Sequence, residues 1–225
     1  IYSFNNPMKD NAGFLVLKSN FFDTAIMKMS VVSKEFKERY LSDKKHPMEF
    51  TVRAIVFDGP EHYHKEINNS KLKIDEKCML IIRGCGPIGY PGAAEVVNMQ
   101  PPDYLLKKGI TSLPCLGDGR QSGTSESPSI LNVSPEAAVG GGLAIIQNND
   151  LIKVNLNKKR VDLLLDDLEI KNRFKDLDYK YPANQTPWQE ISREYTGQLG
   201  DGACLDLKEK YFGVAQSKGI PRDNH

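Results

Sequence analysis

The feature that most constrains this chain is its punctuation: short apolar or alternating runs recur along it, each closed by Gly, Pro, Asn or Asp. The runs at 13–18, 25–29, 51–57, 79–83, 112–116, 129–133 and 143–147 are too short for ordinary helices and read as strands. A further pair, 151–156 and 161–165, flanks Asn157-Lys158-Lys159 and reads as a hairpin. Helical stretches are fewer. They are expected at 60–67 after Asp58, at 93–98 after Pro91, at 104–108 after Pro101-Pro102, and at 166–174 with Asp166 as N-cap. Strands so short hold only against lateral neighbours, so the pattern predicts a β-rich α+β fold, a barrel or sandwich with peripheral helices.

At 225 residues, with 40% hydrophobic and 26% charged side chains, the chain has the size and composition of one large globular domain, or of one domain with a tail. Thirty Lys and Arg against 29 Asp and Glu leave a formal charge of +1, which gives no electrostatic reason to expect nucleic acid or a membrane surface as partner. The run Lys158-Lys159-Arg160 falls in the hairpin turn and reads as solvated. No stretch is long and apolar enough to span a bilayer, and residues 1–18 lack the layout of a signal peptide, so the expected compartment is the cytoplasm or the mitochondrion. From Lys175 the character changes, with Tyr179, Tyr181, Trp188 and Tyr195 scattered among polar residues and an amphipathic pattern at 188–199. The expected organisation is a domain at 1–175 followed by an arm at 176–225. That arm either packs on another domain or subunit or is a flexible tail.

The four cysteines, Cys78, Cys85, Cys115 and Cys204, are widely spaced and match neither a zinc nor an iron-sulfur pattern, so they read as reduced thiols. Chemistry is concentrated in three glycine-rich segments. The first, RGCGPIGYPGAAEVVNMQ at 83–100, follows a strand and carries Glu95, either a hard-cation ligand or a surface carboxylate. The second, GDGRQSGTSESPS at 117–129, crowds Asp118, Arg120, Ser122 and Thr124 into a turn, either an anion cradle or a structural turn. It matches neither a Walker loop nor a nucleophile elbow. The third, SPEAAVGGG at 134–142, reads as a helix start with Ser134 as N-cap and Pro135 at the first helical position. A serine without a histidine partner can still act as a base where a metal or an array of N–H donors stabilises its alkoxide.

Taken in order, RGCGPIGYPGAAEVVNMQPP, GDGRQSGTSESPSILNVSPEAAVGGGLAII and the hairpin NNDLIKVNLNKKRVDLLL resemble the dihydroxy-acid and sugar-acid dehydratase family, over about residues 5–173. The resemblance implies a C-terminal swivelling β-barrel-like domain. It also implies a homo-oligomeric hydro-lyase in which the substrate loses its C2 proton and C3 hydroxyl and the enol becomes a 2-keto-3-deoxy acid. By position it implies Ser122 as the C2 base, Thr124 as a substrate contact and Glu95 as a magnesium ligand, with Asp118 and Arg120 shaping the turn. The family's cofactors are magnesium and an iron-sulfur cluster, of the 2Fe-2S type. The cluster cysteines and the other magnesium ligands are expected in an N-terminal domain that these residues do not contain, so the 225 residues alone are expected to be inactive. The details of PGAAEVVNMQPPD and SGTSESPSILN resemble pentonate and other aldonate dehydratases more than the branched-chain dihydroxy-acid enzymes, which stand as an alternative. A non-catalytic binding or assembly module is another, and a hydrolase using Ser122 a more distant one. The enzymatic reading requires Ser122 and Glu95 to converge.

Overall fold

The structure, a computed structural model, describes residues 3, 5, 6, 8, 13–122 and 129–206. Eight strands form one sheet: β1 (Phe14–Leu17), β2 (Thr24–Lys28), β3 (Glu49–Asp58), β4 (Cys78–Arg83), β5 (Cys115–Gly117), β6 (Ser129–Ser134), β7 (Leu151–Asn155) and β8 (Arg160–Leu163). Their lateral order is β1-β2-β6-β5-β4-β3-β7-β8. The two outer strands meet just past β1, where the Lys18 N–H donates to the Lys159 carbonyl (3.0 Å) and the Val161 N–H to the Lys18 carbonyl (2.9 Å). The sheet is therefore a nearly closed barrel, and closure removes the exposed ladder that an open edge would present.

The order and direction of the strands decide where function can sit. β3, β4, β5 and β6 run parallel to one another, whereas the flanking pairs are antiparallel. A parallel run buried on both faces needs an unbroken apolar sequence. Cys78-Met79-Leu80-Ile81-Ile82 supplies one: Met79 and Ile81 face the barrel interior with Val52, Val56, Leu116 and Ile130. Cys78, Leu80 and Ile82 face outward into a second core with Phe57, Val97 and Leu113.

Helices lie outside the barrel: α1 (Lys34–Phe36), continued by a π turn at Lys37–Leu41, α2 (Gly59–Glu66), α3 (Asp103–Leu106), α4 (Asp167–Lys175) and α5 (Pro187–Tyr195). Asp166 caps α4 as expected, accepting the Glu169 N–H at 2.7 Å. Among the described residues no helix is long and apolar enough to cross a membrane.

Several expected elements differ. Residues 143–147 form no strand. Gly142–Ile145 is a buried 3-10 turn, pressed so near the Phe21 carbonyl that a side chain at Gly142 has no room. Its backbone is satisfied by a guanidinium instead of a ladder: Arg83 Nη1 donates to the carbonyls of Leu143, Ala144 and Ile146 at 3.1, 2.9 and 3.0 Å. Residues 93–98 form no helix, because Ala93 takes a positive φ of 52° and the backbone beyond it bonds to a neighbouring loop. The helix start at Ser134 is also absent. The short turn Ala137–Val139 begins past Glu136, and Ser134 Oγ accepts the Gly200 N–H at 3.0 Å. The helical stretch at 34–41 escapes the strand pattern, although Ser33 caps it and Phe36, Tyr40 and Leu41 bury one face.

The described part of the arm returns to the barrel. Arg193 donates from Nε to the Ile88 carbonyl (2.8 Å) and from Nη2 to that of Gly89 (3.2 Å), and lies over the Tyr181 ring. Gln198 clasps Glu136, accepting its backbone N–H and donating to its carboxylate, both at 2.9 Å. The outer face of α5 leaves Trp188 78% exposed.

Candidate functional site

Because β4, β5 and β6 are adjacent and parallel, the segments that follow them all emerge at one end of the barrel. These are the three glycine-rich segments of the sequence. A single carboxylate ties them together. Asp118, just past β5, accepts the N–H groups of Gly84 (3.0 Å) and Cys85 (2.8 Å) after β4, and of Ala137 (2.9 Å) after β6. Burial pushes its pKa up to about 6, against the opposing pull of those three N–H donors. Glu136, also fully buried, accepts the N–H groups of Ile88 and Gly89 at 2.9 Å each. The helix-start pattern of SPEAAVGGG hides Glu136, which in the fold precedes the turn at Ala137–Val139 instead of lying within it. Its available signal was an acidic residue set among alanines and glycines.

The first and second segments also bond directly. The Arg120 N–H donates to the Ala94 carbonyl (3.1 Å) and the Val97 N–H to the Arg120 carbonyl (3.3 Å). Arg120 Nε reaches the Ala93 carbonyl (2.8 Å), and Nη1 pairs with Glu95 Oε1 (2.6 Å). Glu95 is thus held by the residue two places before Ser122, so the loops that bear the expected base and metal ligand run side by side. Ser122 is partly buried. Thr124 lies outside the described residues.

This apposition depends on Gly119, where a Cβ would stand 2.8 Å from the Ala94 carbonyl oxygen and 3.0 Å from Cys85 Cβ. Gly119→Ala is expected to force the two loops apart and cost about 1–3 kcal/mol. Urea unfolding measures the loss, and the peptide next to Glu95 shifts with it.

Two clefts adjoin this end. One, of about 710 Å³, lies between the first glycine-rich segment and the arm, with Arg83, Gly89, Tyr179 and Arg193 on its walls. The other, of about 450 Å³, runs between α2 and the 95–103 stretch and includes Glu95. Ser122 lines neither. The larger cleft is less informative than the loop contacts, because its two arginines already bond to protein carbonyls. His62 Nδ1 accepts the Asp58 N–H, His64 stacks near Tyr63 and His46 sits beside Glu49, so each of these histidines is engaged away from the second segment.

Glu95 offers magnesium a hard oxygen of the right kind. Among the described residues no three His, Cys, Asp or Glu side chains gather into a metal site, so Glu95 stands here as a single candidate oxygen ligand. Cys78, Cys85 and Cys115 are buried and Cys204 is exposed, and among the described residues none of them joins a group of three metal-ligating side chains. Burial pushes the Cys78 thiol up to about 11, and burial together with the nearby Asp118 raises that of Cys85, so both rest as thiols.

Comparison with known proteins finds relatives over most of the chain. The family model described as Dihydroxy-acid/6-phosphogluconate dehydratase C-terminal matches residues 1–203. A D-xylonate dehydratase of Caulobacter vibrioides is 56% identical over 225 residues, 100% of this chain and 38% of that protein. An L-arabinonate dehydratase of Rhizobium leguminosarum is 33% identical over 97% of this chain and 35% of its own length. A dihydroxy-acid dehydratase of Clostridium beijerinckii is 33% identical over 90% of this chain and 34% of its own. The chain spans little more than a third of the length of these curated relatives.

Proposed function

Since the chain belongs to the dihydroxy-acid/6-phosphogluconate dehydratase C-terminal family, we propose that it forms one wall of the active site of a sugar-acid dehydratase, the other wall coming from an N-terminal domain of the same parent protein. The observation that carries the reading is the pairing of the Glu95 loop with the Ser122 turn through Arg120. An aldonate substrate, a pentonate such as xylonate, is favoured over a branched-chain dihydroxy acid by the 56% identity to the D-xylonate enzyme against 33% to the dihydroxy-acid enzyme.

In this reading Ser122 Oγ, as the alkoxide, takes the C2 proton, hydroxide leaves C3, and the enol tautomerises to a 2-keto-3-deoxy acid with net loss of one water. Magnesium, which Glu95 would help to hold, would supply Lewis-acid polarisation of the bound hydroxy acid, and a 2Fe-2S cluster, whose ligands would lie in the N-terminal domain, would assist departure of the C3 hydroxyl. Glu95 supplies a ligand to the magnesium, Thr124 a substrate contact, and the Asp118 and Glu136 carboxylates hold the glycine-rich backbone that frames both. The exposed side of α5, with Trp188, faces the N-terminal domain or a second subunit of a homo-oligomer. The cytoplasm is the proposed compartment.

Glu95→Gln in the full-length parent tests the assignment. Magnesium affinity is expected to fall at least about tenfold, with little formation of 2-keto-3-deoxy acid from xylonate. Unchanged affinity and turnover would return Glu95 to the status of a surface carboxylate. Faster turnover of a branched dihydroxy acid than of xylonate would overturn the choice of substrate class.

A further inference from the structure

We infer that Arg120 is a positioning residue for the metal-binding carboxylate, fixing Glu95 so that one of its oxygens is presented to the cation; this rests on the assignment of Glu95 proposed above. Four contacts join Arg120 to the stretch 93–97: two through its backbone, to Ala94 and Val97, and two through its guanidinium, to the Ala93 carbonyl and Glu95 Oε1. A surface ion pair between two flexible side chains orders little, and here both partners are about half exposed, at 51% and 44%. This pair differs because the guanidinium is anchored at its other end. Nε is bound to the Ala93 carbonyl, aimed by a backbone at φ 52°, so Nη1 has little freedom to follow Glu95 and Glu95 must come to it.

The hydrogen bond and ion pair to Arg120 engage Oε1, which leaves the guanidinium on one side of the carboxylate and Oε2 on the other. Magnesium takes carboxylate ligands largely one oxygen at a time, and a ligating carboxylate is typically oriented by a hydrogen bond on its other oxygen. Arg120 meets that requirement from the turn that carries Ser122, so ligand and base share a single mechanical reference. The geometry also accounts for a guanidinium rather than an ammonium at this position: a planar fork spans two separated acceptors from two nitrogens, whereas the Lys ammonium donates from one nitrogen with no fixed fork.

The test uses the full-length parent with its cluster loaded, comparing Arg120→Ala, Arg120→Lys and Glu95→Gln. Magnesium affinity is read by calorimetry, and cluster content and unfolding temperature are read alongside it. Arg120→Ala is expected to weaken magnesium binding about 10- to 100-fold with cluster absorbance retained, and Arg120→Lys to recover only part of the loss. Turnover of Arg120→Ala should return toward the wild-type value at saturating magnesium, a rescue that a general loosening of the fold would not give. Magnesium affinity in Arg120→Ala equal to or tighter than that of the wild type would overturn the inference, the guanidinium then being a mere counter-ion. If Glu95→Gln itself keeps its magnesium affinity, the assignment of Glu95 fails; if Glu95→Gln loses it while Arg120→Ala does not, the role of Arg120 alone fails.

Discussion

Ser122→Ala in the full-length parent is expected to lower the turnover of sugar acid about 10²- to 10⁴-fold, the usual contribution of a positioned base, with KM, magnesium affinity and cluster absorbance nearly unchanged. The reasoning is spatial. Ser122 is partly buried, two residues past Arg120, on a turn that begins where β5 ends. Asp118 fixes the start of that turn through three N–H bonds, and Arg120 fixes it laterally against the Glu95 loop. Removing one oxygen from such a frame leaves the frame standing, so the loss should appear in the chemical step rather than in binding. Exchange of the substrate's C2 hydrogen with solvent deuterium gives an independent reading and should disappear with turnover. Undiminished turnover or exchange in Ser122→Ala would place the base elsewhere.

The largest expected effect on stability belongs to Asp118→Ala, at about 3–5 kcal/mol near pH 5, because three buried N–H groups lose their acceptor at about 1–3 kcal/mol each, only partly relieved by water. The pH dependence has a definite sign. The folded pKa of Asp118 is raised from 3.8 to about 6, so the folded chain binds the proton more tightly than the unfolded one. The stability contributed by the protonated group is fully present below about pH 4 and is lost as the pH rises through about 6, a change on the order of 3 kcal/mol. Alanine has nothing to titrate. The gap between wild type and variant should therefore be widest on the acid side and narrow toward neutrality, as urea unfolding at several pH values would reveal. A gap that widened with rising pH would mean that the three N–H donors outweigh desolvation and that Asp118 is charged in the folded chain throughout.

The strands were legible because each obeys a local rule. The unbroken apolar run of β4 needs two covered faces, and the alternation of β7 and β8 around a turn needs one. What local pattern could not supply was the destination of backbone hydrogen bonds that leave the element. Residues 143–147 have the composition of a strand, yet their carbonyls are taken by Arg83, some sixty positions earlier. Residues 93–98 follow a helix-starting proline, yet the Arg120 turn takes the bonds a helix would have made internally. The candidate site divides in the same way. Resemblance and residue type picked out Glu95 and Ser122, and the side-by-side course of the loops that bear them follows from parallel β4 and β5. Glu136 was illegible because its function is to bond with Ile88, Gly89 and Gln198, none of them its neighbour in sequence.

The grip on the Ile88–Gly89 stretch has a consequence for biosynthesis. Its amide hydrogens are claimed by Glu136 and its carbonyl oxygens by Arg193, a residue translated about a hundred codons later. A ribosome that has passed the turn after β5 has still not made the side chain that clasps this loop. A nascent chain interrupted before residue 193 therefore lacks a clasped loop, and the wall that Arg193 shares with Gly89 forms only after that residue has been made.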